Sequence, residues 1–144
     1  MRDDPAGFPE VAKPEGDRPL LPEDITLLDG EGLMHLYREL VVWADYATDR
    51  LARAAAAEKE EAQALDYERN RAFLRARKQD YSVTDARAWA ANEVQEDVSK
   101  YAERKALEAV LSSLERDIML VSRELSRRLG EKSGPVVRRR AFGG

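Results

Sequence analysis

The sequence predicts an all-α protein: a long antiparallel helical hairpin with a short intervening helix, packed like a coiled coil and oligomeric. From Leu107 onward, apolar residues recur at alternating steps of four and three, the pattern of a helix that packs lengthwise against another helix. A weaker stripe of the same kind covers Leu33 to Phe73, and the chain between the stripes breaks at Asp80 to Thr84. The seam consists of Leu107, Leu111, Leu114, Ile118, Val121 and Leu125.

The first segment, residues 1–30, is interpreted as a disordered or extended acidic tail. Five of the six prolines lie in it, and each proline removes a backbone hydrogen-bond donor. Few apolar side chains separate these prolines, so the segment should bury little surface. Residues 1–31 hold nine acidic residues against three basic ones. Such a tail could fold back onto basic surfaces of the protein.

The helical hairpin domain is expected to cover residues 31–130. Its first helix should begin near Asp29 to Gly32 and end at about Gln79, with Asp29 as the N-cap and Glu31 in the first turn. The apolar stripe of this helix is rich in alanine, which buries little area. We therefore expect partner chains to cover the rest of the seam, so that the protein forms a homo-oligomer.

Two further helices are expected after the break. Ser82 or Thr84 should cap a short helix over Asp85 to Ala91, and the last helix should run from about Val94 to Leu129. Gly130 stands where a C′ glycine belongs, so residues 131–144 are expected to form a basic flexible tail.

Several classes of protein are excluded by composition. The chain has no cysteine, so disulfides, thiolate metal sites and cysteine nucleophiles are excluded. The first thirty residues lack the pattern of a secretory signal, and the longest apolar run is too short to cross a bilayer. We therefore expect a soluble protein with no membrane partner, located in the cytoplasm of a bacterium or of a phage-infected host cell.

Basic residues spaced through aromatic ones form a first candidate site near the end of the first helix. Guanidinium groups hold phosphates and aromatic rings accept stacked bases, which suits single-stranded nucleic acid. In a helix, Arg71, Arg75 and Lys78 share one face, whereas Phe73 and Arg77 point elsewhere. The alternative is a solvated helix end whose aromatic side chains, Trp89 included, close the hairpin core. The candidate residues are Arg69, Arg71, Arg75, Arg77, Lys78, Tyr81 and Arg87.

A second basic cluster lies in the last residues of the chain. Three consecutive arginines, Arg138, Arg139 and Arg140, can follow phosphates if the segment is flexible. The alternatives are a solubilising tail, or one that pairs with the acidic N-terminal segment of another subunit.

No residue pattern indicates catalysis. His35 is the only histidine and reads as an ordinary helical residue, since no cysteine or second histidine accompanies it. The carboxylates from Glu58 to Glu68 lack the Glu-x-x-His pairs of a di-iron bundle and read as a solvated face. No histidine or lysine is placed to activate a serine as a nucleophile, and the sequence contains no glycine-rich loop of the phosphate-binding kind. We expect a protein that is not an enzyme, with no catalytic residue, metal or cofactor.

The two long helices, the turn Tyr81-Ser82-Val83-Thr84 and the basic end of the first helix resemble the UvsY-like phage recombination mediators. The resemblance covers roughly residues 37–129, including the aromatic residues Tyr37 and Trp43. It implies a non-enzymatic protein that binds single-stranded DNA, oligomerises and loads a recombinase onto DNA covered by single-strand-binding protein. It also implies that the cations from Arg69 to Lys78 contact DNA and that the seam joins subunits.

The chain departs from that family pattern in three places. The acidic proline-rich tail and the Arg138 to Arg140 tail lie outside the pattern, and the segment between Trp43 and Tyr81 is longer. Two functional hypotheses follow. The first is a single-stranded DNA-binding recombination mediator active in DNA repair. The second is a helical structural or adaptor protein, for example of a phage particle, that binds other protein subunits through its seam and tails.

Overall fold

A computed structural model describes residues 9–141, with side chains described from residue 9 to residue 131. These residues contain helices and connecting segments and no strand, which confirms the all-α class. A short 3-10 helix, Ile25–Leu27, precedes three α-helices: α1 (Gly30–Lys78), α2 (Val83–Glu93) and α3 (Ser99–Ala141).

Helix α1 begins and ends close to the predicted residues. The Asp29 carboxylate accepts a hydrogen bond from the Gly32 amide at 2.6 Å, which confirms Asp29 as the N-cap. At the other end, the Tyr81 amide donates to the Ala76 carbonyl and the Asp80 amide donates to the Arg77 carbonyl. This is a Schellman motif with Asp80 at the C′ position, where its φ is 65°.

Helix α2 extends two residues beyond the predicted bounds at each end, and α3 differs from its predicted bounds at both ends. Ser82, one of the two predicted caps, caps α2 by accepting from the Asp85 amide. Helix α3 begins at Ser99 instead of Val94, because Asp97 accepts from the Ser99 amide and so opens the helix there. Helix α3 also continues through Gly130 to Ala141. Gly130 has no positive φ, so it does not form the expected left-handed cap.

The chain divides into two compact units. The central unit is formed by residues 50–107, and the terminal unit is formed by residues 10–49 together with α3 from Glu108 onward.

The hydrophobic core of the terminal unit is formed by the first part of α1 and the seam of α3. Six buried residues define it: Leu33, Leu36, Leu40, Ala47, Leu114 and Val121. Leu111, Ile118 and Leu125 pack against this cluster and are partly buried. The step pattern of four and three therefore correctly marks the face of α3 that packs on another helix.

Part of the seam is buried within the chain itself, whereas Leu107, Leu111, Ile118 and Leu125 are half-buried. Leu114 and Val121 are fully buried by residues of the same chain. They have no surface left for a partner helix. The larger side chains of α1, Leu33 and Leu40 among them, supply the area that an alanine stripe alone would lack.

The segment before α1 belongs to the terminal unit and packs on its core, although the sequence predicted an extended or disordered tail that buries little surface. Leu21, Ile25 and Leu28 pack against the core cluster. Arg18 donates a hydrogen bond to the Ser113 hydroxyl at 2.7 Å and lies 3.9 Å from the Asp117 carboxylate. Residues 1–8, the remainder of the predicted tail, lie outside the described residues.

The central unit is held by small apolar residues and by side chains that bond to neighbouring elements. Its buried positions are alanines, which allow helices to approach closely: Ala54, Ala72, Ala76, Ala86 and Ala90. The Arg104 guanidinium forms an ion pair with Glu58 of α1. The Arg69 Nε donates to the Val94 carbonyl at 3.2 Å, which ties α1 to the segment that follows α2.

Candidate nucleic-acid interface

Most of the predicted DNA-binding cations lie in the central unit, in the last turns of α1. Helical spacing places Tyr67, Arg71, Leu74 and Lys78 along one line, since the steps are four, three and four. Arg75 lies beside Arg71 and Lys78 on the same side. We call these five residues the basic face.

Every member of the basic face is exposed. Tyr67 exposes 64% of its surface and Leu74 exposes 51%, although both carry large apolar groups. The Arg71 guanidinium carbon lies 5.8 Å from the centre of the Tyr67 ring, which is a cation–π contact. The basic face thus presents three cations and one aromatic ring to solvent.

The opposite side of the same helical turns is buried. Ala72 is fully buried and Ala76 nearly so, and α2 buries Ala86 and Ala90. This burial fixes which way the basic face points, because a helix that packs through one side must present the other to solvent.

Two of the predicted cations bond to the protein's own backbone. Arg77 donates to the Tyr81 carbonyl at 2.8 Å, so its guanidinium stabilises the turn after α1. Arg69 is half-buried and donates to the Val94 carbonyl. Tyr81 is 39% exposed, and only its backbone carbonyl takes part in the Arg77 bond, so its ring keeps an accessible surface.

Arg69 and Arg87, eighteen residues apart in sequence, line a common cleft in the central unit. Its volume is about 470 Å³, and its walls are formed by Arg69, Asn70, Phe73, Arg87 and Ala91. The predicted cations with described side chains therefore fall into three groups: the basic face, the cleft, and Arg77 at the turn after α1. Phe73 lines the cleft and is half-buried. Trp89 in α2 is also half-buried but does not line the cleft.

Asn70 is the cleft residue that sequence reasoning missed. An amide side chain between charged neighbours gives no signal of its own. The helical period could have shown that Asn70 and Phe73 lie three residues apart on one side of α1. The pairing with Arg87 depends on how α2 packs, which the sequence does not specify.

A second cleft of the central unit has the opposite character. Its volume is about 300 Å³, and Glu61, Glu68, Glu96 and Asp97 are among its lining residues. Glu58 also lines it and is paired with Arg104. These carboxylates repel phosphates, so any nucleic acid on the central unit would be directed toward the basic face.

The remaining predicted site residues lie outside the described side chains. The backbone of Arg138, Arg139 and Arg140 belongs to α3, but their side chains are not described. Within the described part of the chain, no group of three or more His, Cys, Asp and Glu residues is placed to hold a metal ion. The described helices also include none with the length and apolar content of a membrane-crossing segment.

The comparisons with known proteins identify no relative from which a function could be inferred. No protein family, curated protein or solved structure matches this chain.

Proposed function

We propose that the protein binds single-stranded DNA, catalyses no reaction and acts as a recombination mediator. The observation that carries the proposal is the basic face: three exposed cations and an exposed tyrosine on one side of α1. Cations neutralise phosphates and release counterions, and an exposed ring adds stacking that tolerates any base. The mediator role, with a recombinase or single-strand-binding protein as partner, is supported by the resemblance to UvsY-like proteins.

In this proposal α1 and α3 form an antiparallel hairpin with coiled-coil-like contacts, and the chain oligomerises. Because Leu114 and Val121 are buried within the chain, the subunits must meet through surfaces other than these residues. Tyr81, Arg87 and Arg138 to Arg140 would extend the DNA contact beyond the basic face.

The second candidate is a helical structural or adaptor protein. It is favoured by large apolar side chains exposed away from the basic face, among them Val98, Met119 and Leu129. Such residues form contacts with other proteins more readily than with phosphates.

The first prediction separates the two candidates. Replacing Arg71, Arg75 and Lys78 by Ala should weaken binding to a fluorescent oligonucleotide. Plotting log affinity against log salt concentration should give a slope smaller by about 2, because each lost single-strand contact removes about 0.7. Fluorescence anisotropy across a salt series measures this. The protein's mass in solution should first be determined by sedimentation.

A matched control removes the same number of charges elsewhere. Lys59, Arg116 and Arg123 are exposed cations of α1 and α3 outside the basic face. Their replacement by Ala should leave the slope nearly unchanged. If wild-type protein binds no single-stranded DNA at about 50 mM salt, where phosphate contacts are strong, the mediator proposal fails and the adaptor function replaces it.

A further inference from the structure

The cleft between α1 and α2 in the central unit has a wall composition different from that of the basic face. Two guanidinium groups, an amide and a phenyl ring meet there: Arg69, Arg87, Asn70 and Phe73. Its volume of about 470 Å³ lies within the range of small-ligand sites. A site that bound phosphate alone would not need the Phe73 ring. If these side chains only closed the hydrophobic core, they would not leave a cleft of this volume.

One of the two guanidinium groups is already held in place. The Arg69 Nε donates to the Val94 carbonyl, which fixes the side chain before any ligand arrives. A positioned guanidinium loses less conformational entropy on binding an anion than a free one. Arg87, by contrast, is exposed on α2, where it can adjust to a ligand.

The Asn70 amide and the Phe73 ring can contact a base, an interaction that phosphate binding alone does not need. Asn70 is exposed and carries both donors and an acceptor, the groups that pair with the edge of a base. Phe73 is half-buried, so its ring is supported by the protein while it lines the cleft. Aromatic rings in such positions stack bases.

We propose that this cleft is a nucleotide subsite that holds one unit of a single strand. Arg69 and Arg87 bind the phosphate, Phe73 stacks on the base and Asn70 hydrogen-bonds to it. This inference rests on the proposed function, and it adds that the protein contacts bases as well as phosphates.

The second prediction tests base contact directly. Wild-type protein is titrated with a labelled twelve-nucleotide thymidine strand and with an abasic strand of equal length, which keeps the phosphates and lacks the bases. Phe73→Leu keeps an apolar side chain and removes the ring. It should weaken binding to the thymidine strand about tenfold, the effect of one base stack, and leave the abasic strand unaffected.

A second variant protects the test against loss of folding. Asn70→Asp places a carboxylate in the cleft at an exposed position, so helix packing is retained. It should weaken binding to both strands several-fold through repulsion of the phosphate. Gln63→Glu makes the same amide-to-carboxylate change two turns earlier in α1, at an exposed position, and should have little effect. Circular dichroism melts confirm folding of each variant.

The outcomes separate the subsite from the function. If wild-type protein binds both strands equally and Phe73→Leu and Asn70→Asp bind as wild type does, the subsite proposal is overturned while DNA binding through the basic face survives. If wild-type protein binds neither strand, both proposals fail. If polyglutamate competes as well as an unlabelled thymidine strand, and Phe73→Leu alters the competition by neither, the protein binds anions without contacting bases and the nucleotide assignment is wrong.

Discussion

Glu124, in the α3 part of the terminal unit, is an acidic side chain held by two arginines. Only 8% of its surface is exposed. Its carboxylate accepts hydrogen bonds from Arg127 at 2.6 and 2.9 Å and from Arg128 at 3.0 Å. Arg127 also pairs with Glu131. A buried charge is costly unless it is paired and hydrogen-bonded, and here both conditions are met.

This arrangement also joins α3 to the segment before α1. The second guanidinium nitrogen of Arg128 donates to the Thr26 carbonyl at 3.2 Å and lies 3.4 Å from the Ile25 carbonyl. From the sequence, Arg127 and Arg128 are cations suited to the end of a helix and belong with the C-terminal basic cluster. Their partners could not be predicted, because the contact with Thr26 depends on how the N-terminal segment packs.

The third prediction concerns pH. The pKa of Glu124 is lowered from its ordinary 4.5 to about 2, mainly by hydrogen bonds from Arg127. Desolvation of the carboxylate acts in the opposite direction, and the hydrogen bond from Arg128 lowers the pKa further. A carboxyl whose pKa is lower in the folded than in the unfolded state stabilises the fold above its unfolded pKa. That stabilisation is lost as the pH falls from about 4.5 toward 2.

The measurement compares wild-type protein with Glu124→Gln in thermal melts from pH 7 to pH 2.5. The melting temperature of the wild type should exceed that of the variant at pH 7, and the gap should narrow below pH 4.5. Glu115→Gln, at an exposed position of the same helix, serves as the control and should show a small gap throughout. A gap that stays constant down to pH 2.5 would contradict the role of the Glu124 carboxylate.

Among the elements, α1 was the easiest to predict from sequence and the ends of α3 were the hardest. A capping aspartate and a long apolar period specify where α1 begins and which side is buried. The start of α3 depends on a local competition in which the Asp97 side chain takes the Ser99 amide. The face of α3 that packs on another helix was predicted correctly, and residues of α1 in the same chain pack on it. The period of a stripe does not show how much of that face is left for a partner chain.

The Schellman motif at the end of α1 places an aspartate where glycine is usual. Asp80 has a φ of 65°, a left-handed conformation that costs most residues free energy and glycine none. Its carboxylate also lies at the negative end of the helix dipole, where a negative charge is unfavourable. The turn that separates α1 from α2 is therefore not optimised for stability.

The fourth prediction follows from that backbone. Asp80→Gly should raise the free energy of unfolding by up to about 1 kcal/mol, because relief of the left-handed conformation and of the charge outweighs the added freedom of the unfolded chain. Urea unfolding followed by circular dichroism measures the change. The same substitution at exposed Asp66, inside α1, should instead lower the free energy by a few tenths of a kcal/mol. If both variants were destabilised, the Asp80 side chain would contribute more to the turn than its backbone costs.

For the molecule as a whole, the sequence predicted the helical class but not the division of the chain into two units. The terminal unit has a core of four leucines, a valine and one alanine, whereas the buried apolar residues of the central unit are all alanines. Alanine burial contributes less free energy per residue than leucine burial, so the two units should differ in local stability. The candidate site lies in the central unit. Because its buried apolar residues are alanines, we expect its local stability to be the lower of the two.

The N-terminal segment is where expectation and structure diverge most. Proline content and acidity predicted an extended or disordered tail that buries little surface, and composition alone could not indicate that specific leucines reach the core. Leu21 packs against the terminal core, while its neighbour Leu20 is 80% exposed. Arg18 adds a hydrogen bond to Ser113. The segment from Arg18 to Leu28 is therefore part of the folded unit.

The fifth prediction uses the two adjacent leucines as a matched pair. Leu21→Ala should lower the free energy of unfolding by about 1–2 kcal/mol, because it removes a partly buried side chain from the core. Leu20→Ala removes the same atoms from an exposed side chain and should change the free energy by less than about 0.5 kcal/mol. Chemical unfolding of the full chain measures both values under identical conditions. Equal effects of the two substitutions would mean that the segment does not dock in solution. The acidic arm would then be available to compete with DNA for the basic face, and its removal should tighten DNA binding most at low salt.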